Sequence, residues 1–234
     1  MRTRKIIFII AFSIFNLTVT NTKAQDEVDN SPFSFGADFV NRYIFRGLDF
    51  GNSPAIQPSF NFSKGGFSMG AWGSYAFVST PIGIEADLYT SYSFDFGLTI
   101  GVTDYYFPGE QLRLSSDSII APERTGGYFN GDNHFFEINV TQSISNFYMS
   151  TNYGAYNLDN AVYFETGYSF KYFDIFAGGG NKAFTTDGNF NITNIGISAS
   201  KDVKLTENYG ITLSSALILN PNTEQLHLIF TLGL

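Results

Sequence analysis

The charged residues of this 234-residue chain are sparse, and their spacing suggests what chemistry they could do. Asp38, Arg42 and Arg46 recur at every fourth position, so on an extended chain all three project to one side. Glu85 and Asp87 are two apart and share a side for the same reason, while Glu137 and Glu165 each sit inside an alternating stretch. Trp72, the single tryptophan, falls on the polar side of its stretch with Ser68 and Ser74. If these polar sides line a lumen, Arg facing carboxylate gives the transverse field that orders water and ions in a constriction. The competing reading is a structural ion-pair network filling a narrow barrel, with Trp72 plugging space instead of stacking on a sugar-like solute. The pore-lining candidates are Asp38, Arg42, Arg46, Trp72, Glu85, Asp87, Glu137 and Glu165.

Other chemistries find less support. The only histidines are His134, at a strand start, and His227, on the polar side of the last strand. No Gly-x-Ser-x-Gly turn accompanies them, so the expectation is that the chain is not an enzyme. Asp132 and Asp187 have glycine neighbours but lack the regular spacing of a calcium loop, and Gly178–Gly180 has no Lys-Ser or Lys-Thr pair nearby. No metal and no cofactor is expected. With no cysteine, disulfides and a lipid-modified N-terminus are excluded.

The elements that must position these residues read as strands. Across 82–96, Ile82, Ile84, Ala86, Leu88, Tyr92, Phe94 and Phe96 fall on one side, and Glu85, Asp87, Tyr89, Ser91, Ser93 and Asp95 on the other. A period of two means β-structure with one apolar face. Extended stretches are expected near 32–45, 54–63, 66–78, 82–95, 97–107, 133–144, 146–156, 161–171, 173–181, 190–201, 208–219 and 224–234. Most are about ten residues, the length a tilted strand needs to cross a hydrocarbon layer. Connections sort in length. The long ones, 46–53, 108–132 and 182–189, fall in the odd set (those after odd-numbered stretches) with 79–81, 157–160 and 220–223. The even ones, Ser63–Gly66, Asp95–Gly97, Ser145-Asn146 and Lys171-Tyr172, are tight, and only 202–207 is longer. Long loops on one side and short turns on the other are the pattern of an outer-membrane barrel. The 108–132 loop could fold inward as a constriction or stay outside.

The apolar set, including Phe35, Met69, Phe136, Ile138, Val140, Phe164, Ile197, Leu213 and Leu217, is expected to carry no charge across the bilayer. Lipid or a second sheet could cover it. Charged residues are only 15% of the chain and aromatics 18%, which favours lipid over water. Tyr and Phe bunch near strand ends, as an interfacial girdle would.

Residues 1–24 read as an export signal: Arg2, Arg4 and Lys5, the apolar run Ile6–Phe15, then Thr22-Lys23-Ala24. Residues 25–31 form a polar leader and 32–234 the barrel. Loss of the signal would leave 9 basic and 21 acidic residues, a charge of −12 that argues against nucleic acid as a partner.

Asn41–Gly47, Pro54–Gln57, Gly66–Ser74, Glu85–Tyr89 and Asp104–Gly109 resemble the TorF-family porins, exported bacterial barrels named largely by inference. Their members carry a Tyr-x-Phe-Arg-Gly segment, a Trp-Gly-Ser segment and a Tyr-Pro-Gly-like strand end. Here these are Tyr43–Gly47, Trp72–Ser74 and Phe107–Gly109, with Phe in place of Tyr in the last. The likeness covers residues 34–109 and implies an outer-membrane β-barrel with no established substrate.

The expectation is therefore an all-β fold: a closed antiparallel up-and-down transmembrane β-barrel of about 12 strands (range 10–14). It would sit in the outer membrane of a Gram-negative bacterium, in contact with outer-membrane lipid. Its last strand, with Leu226, Leu228, Phe230, Leu232 and Leu234 on one face, would be read by the barrel-insertion machinery. Leu234 stands where an aromatic is usual. The expected function is passive diffusion of small hydrophilic solutes or ions with mild cation preference. One alternative is a structural or adhesive barrel with a plugged lumen and partner-binding loops, and another is a soluble sandwich or ligand-binding barrel with its apolar faces inside.

Overall fold

Alternation of side chains becomes alternation of environment only if every strand edge is paired, and in this chain the sheet closes on itself. The structure, a computed structural model, describes residues 31–78, 83–108, 113–115, 118–120, 127–207 and 209–234. The expected export signal and all of the leader but Ser31 lie outside these residues. In chain order the strands are β1 (Phe33–Val40), β2 (Ile44–Phe45), β3 (Leu48–Asp49), β4 (Ala55–Lys64), β5 (Phe67–Ala76), β6 (Ile84–Ser93), β7 (Leu98–Tyr106), β8 (Arg113–Ser115) and β9 (Ser118–Ile120). They continue with β10 (His134–Ile144), β11 (Phe147–Tyr156), β12 (Val162–Ser169), β13 (Asp174–Gly180), β14 (Asn191–Lys204), β15 (Gly210–Asn220) and β16 (Gln225–Gly233).

Twelve of them form a closed antiparallel barrel in the order β1-β16-β15-β14-β13-β12-β11-β10-β7-β6-β5-β4. β2 pairs with β3 and β8 with β9 as separate hairpins. The seam closes through Asp38↔Gly233, Phe39↔Leu232 and Val40↔Thr231, continued by Leu234 N–H donating to the Ala37 carbonyl at 3.0 Å. Closure leaves no long unpaired edge, which is what lets so much backbone stand in one sheet.

The register separates two faces. Phe35 pairs with Phe60, Ala71 with Leu88, Val140 with Ile100, Ile197 with Leu217, and Leu217 with Leu228, all pointing outward. These side chains stand well out of the protein, and Phe35 is 87% exposed. Phe35, Leu88, Val140 and Leu213 share this outer wall and not a dry interior, so the reading with apolar faces inside does not hold. Aromatics cluster where the short turns lie, with Phe33 against Phe60, Tyr92 against Phe94, and Phe170 against both Tyr168 and Phe173. The sorting of connections is as expected. One end carries tight turns such as Gly65-Gly66 and Ser145-Asn146, hereafter the turn end, and the other carries 41–54, 107–133 and 181–190, the loop end.

Two expectations are corrected. The first strand does not run to residue 45; β1 stops at Val40, and residues 41–54 leave the wall altogether. Arg42 and Arg46 therefore do not extend a strand ladder from Asp38. The outer face is also not free of charge: Asp104 pairs in register with Leu88 and Phe136, both outward, and His134 pairs with Tyr106. His134 Nδ1 lies 2.9 Å from both Asp104 oxygens, and its Nε2 lies 2.6 Å from the Tyr128 carbonyl. Tyr106 stacks on the imidazole at 4.9 Å. The pair sits at the loop-end rim, partly covered, where a charge on the outer surface costs least.

Candidate functional site: a plugged lumen above a polar chamber

Residues 41–54 hold Tyr43, Ile44, Phe45, Leu48 and Phe50 in a short connection, a composition that water would not favour. The segment escapes water by folding into the lumen. β2 and β3 are joined by a two-residue turn in which Arg46 has φ 53° and Gly47 φ 83°. Positive φ at both central positions is the hairpin turn whose twist matches that of its strands. Glycine is required at the second position: a Cβ on Gly47 would fall 1.8 Å from the Thr193 carbonyl oxygen on β14. Asn220 of β15 fixes the tip by donating its side-chain N–H to the Gly47 carbonyl at 3.0 Å.

The plug is held on all sides. Tyr43 lies 5.6 Å edge-on from Trp72 of β5, and Phe45 lies 5.9 Å from Tyr105 of β7. Phe45, Leu48 and Phe50 pack on a buried cluster of Tyr105, Phe107, Phe135, Leu158, Tyr163 and Phe184. Arg46 meets Glu137 of β10 in a two-pronged pair, at 2.6 and 2.8 Å. Tyr105 and Asn139 also donate to Glu137, at 3.0 and 2.7 Å. The guanidinium lies over the rings of Phe45, Tyr163 and Phe184 at 4.5 to 4.9 Å. A buried ion pair is weak evidence for stability, but removing one partner strands the other charge at about 3–5 kcal/mol. Here the pair fixes where the hairpin tip must sit.

Of the eight candidates, Arg46, Trp72, Glu85, Asp87 and Glu137 all point inward and all are sealed. Trp72 is 2% exposed and fills space against Tyr43, so it offers no platform for a passing sugar. Glu85 and Asp87 lie on the wall beneath the hairpin root. Burial first, and then the Glu85 and Asp87 charges, push the Tyr43 phenol well above its ordinary range, which keeps it a donor toward Glu85. Arg42 bonds Asn52 and pairs with Asp49 at 3.1 Å, on the arm of the hairpin and not on the wall. The Arg-to-carboxylate field expected across an open lumen is thus present between Arg46 and Glu137, but closed off from water.

Toward the turn end the packing loosens. Asp38, Glu165 and Asp174 line a chamber of about 180 Å³ whose roof is the hairpin, including Arg42, Phe45 and Arg46. Glu165 accepts from Tyr148 and Tyr163 hydroxyls, each at 2.8 Å, and from Asn194 at 3.0 Å. Inward residues there, such as Tyr89, Ser91 and Ser198, are half-buried, whereas Glu85 and Asp87 nearer the loop end on the same strand as Tyr89 are fully buried.

Sequence reasoning missed the plug, which a run of large apolar residues around an Arg-Gly pair in an expected outer loop could have signalled. It also missed Asp104, which sits in step with Leu98, Ile100 and Val102 on the outer face. Residues 109–112, 116–117 and 121–126 of the 108–132 loop lie outside the described residues; β8 and β9 within it pair as a short hairpin.

Comparison with known proteins adds one family. Residues 25–178, more than half of the chain, match a bacterial family of unknown function, Gcw_chp, and the protein belongs to it. No curated protein matches the chain.

Proposed function

We propose that this Gcw_chp-family barrel is an outer-membrane protein of the TorF-porin kind, closed at rest by its own first connection. Small hydrophilic solutes and cations would pass only when the 41–54 hairpin withdraws. The observation that carries the reading is the hairpin itself, seated inside a wall of apolar outward-facing side chains and tied to Glu137 through Arg46. The outward belt supports lipid as the surrounding medium, since water would leave that much Phe, Leu and Ile unsatisfied. The Tyr43–Gly47 segment that carries the TorF resemblance builds the plug, which is why closure belongs in the proposal. Carboxylates dominate the lumen below the plug, which supports a cation preference once the path is open.

Planar-bilayer recordings on the refolded protein test this. Wild type should show rare or no conductance steps, and replacing residues 44–49 with a short Gly-Ser linker should give frequent, cation-selective steps. Large open steps in wild type would refute the plug. Silence from the hairpin-deleted barrel, with its fold confirmed, would instead favour a structural or adhesive barrel whose outer loops bind a partner. Release of the protein from membranes by carbonate would remove the outer-membrane assignment.

A further inference from the structure

One edge of the wall is left bare where the plug begins. β1 and β16 pair through Asp38↔Gly233, Phe39↔Leu232 and Val40↔Thr231, and the Asn41 N–H still donates to the Phe230 carbonyl at 3.1 Å. There the chain turns into the lumen, and along Gln225–Ile229 no described strand flanks β16 on that side. Leu226 and Leu228 are 63% and 67% exposed, whereas their β15 partners Leu219 and Leu217, flanked on both sides, are 39% and 42%. Hydrogen-bonding directions alternate along an antiparallel strand. Phe230 turns its backbone groups toward β1, so those of Leu228 and Leu226 turn the same way.

The Asn41 side chain stands in for the missing strand. Its Oδ1 accepts from the Phe230 N–H at 2.9 Å, the place its own carbonyl would take in a continuing ladder. Its Nδ2 donates to the Leu228 carbonyl at 3.1 Å, the place of the Tyr43 N–H. The departed segment also fits the edge it left. Carried on in the same register, Arg42 meets Ile229, Tyr43 meets Leu228, Ile44 meets His227, Phe45 meets Leu226 and Arg46 meets Gln225. Phe35, Ala37 and Phe39 face outward on β1, so Tyr43 and Phe45 would join them, with Arg42 and Arg46 inward beside Asp38. Rings fall on the lipid side and guanidinium groups on the lumen side. The eight residues 47–54 then lead back to Ala55, which is level with Val40. That return covers about 20 Å, the rise of six strand residues, and eight extended residues reach roughly 26 Å.

We propose that residues 42–46 have two seats, one in the lumen as the plug and one in the wall as a continuation of β1 against β16. The second seat is the open state that the closed-barrel reading requires, and the inference rests on that reading. Withdrawal then leaves no bare edge facing hydrocarbon, because Leu226 and Leu228 gain ladder partners and Tyr43 and Phe45 enter the outer belt. The first seat is held by the Arg46–Glu137 pair and by ring packing, both of which the second gives up.

Disulfide trapping in lipid vesicles tests the second seat, since the chain has no cysteine of its own. Tyr43→Cys with Leu228→Cys puts two thiols directly opposite each other there, and on opposite faces of the wall in the first seat. Copper-phenanthroline oxidation should link them, as it should the already paired positions in Phe39→Cys with Leu232→Cys. Ile44→Cys with Leu228→Cys, one residue out of register, should not link. Adding Asn41→Ala removes the stand-in, so linking of the 43–228 pair should quicken about fivefold, the worth of one net hydrogen bond. In bilayers the linked barrel should conduct steadily and lose most of its steps on reduction. Heat-shifted gel mobility confirms folding, and should Tyr43→Cys not fold, Phe45→Cys with Leu226→Cys carries the test. No link at 43–228 in barrels where 39–232 links overturns the proposal. So does equal linking by Ile44→Cys, and so does a rate that Asn41→Ala leaves unchanged. A linked barrel that never conducts leaves the second seat standing and fails the transport reading alone. Conduction by the hairpin-deleted barrel, beside a 43–228 pair that never links, fails the second seat alone.

Discussion

The two halves of the lumen are built from the same alternating strands and end up opposite in character. At the loop end the inward side chains are sealed: Arg46 and Glu137 lie among Tyr105, Tyr163 and Phe184 with almost no exposed surface. At the turn end the Asp38 and Asp174 carboxylates face a chamber and have no hydrogen-bond or ion-pair partner among the described residues. The difference comes from one segment. The hairpin supplies both the apolar rings that dry the upper half and the guanidinium that pairs with Glu137. Below its reach the same kind of polar wall is only half-buried. Carboxylates therefore do two jobs in one barrel. Glu137 anchors the hairpin, and Asp38, Glu165 and Asp174 line the chamber below it.

Removing the anchor should give the largest effect. Arg46→Ala leaves Glu137 buried and unpaired, so unfolding in urea should shift by about 3–5 kcal/mol. A change below about 1 kcal/mol would mean that the upper half is as wet as the lower one. Both halves share one outer wall, and Val140→Arg charges it near mid-strand. In lipid vesicles that substitution should cost roughly 2–4 kcal/mol. A neutral outcome would show that water, not hydrocarbon, covers the belt.

Gly47→Ala acts on the hairpin tip alone. Its Cβ would collide with the Thr193 carbonyl and sit at a left-handed φ, so the tip must shift, at about 1–3 kcal/mol. Conductance steps should become more frequent than in wild type. Unchanged silence with unchanged stability would show that the tip is not wedged against β14. The smallest effect belongs to the chamber. Asp174→Asn should alter stability by less than about 0.5 kcal/mol, as a surface-like substitution does, while lowering the cation preference of the hairpin-deleted pore. A large stability loss there would mean that the lower half is structural too.

Much of the wall was legible because a period of two is a local property. The alternation in 82–96 places Glu85 and Asp87 inside and Leu88 outside whatever the rest of the chain does. The sorting of connections by length gave the ends, and the strand count of twelve follows from the same marks. The first connection was misread because Tyr43, Ile44 and Phe45 continue an apolar stretch, so they pass for strand. Asp104 was missed for a related reason: its position shares the outer parity of Val102, and only a partner on another strand, His134, makes a charge tolerable there.

The sequence alone determined which side chains share a face, since pleating fixes that residue by residue, and it determined that the faces differ enough to need different surroundings. Only the tertiary structure decided that residues 41–54 turn inward, that Arg46 meets Glu137 across 91 positions of chain, and that the Asp38 carboxylate has no hydrogen-bond or ion-pair partner among the described residues. Those outcomes depend on ring closure. Until the wall is complete there is no interior for a hairpin to enter, and no short-range pattern encodes the distance between groups on opposite sides of it.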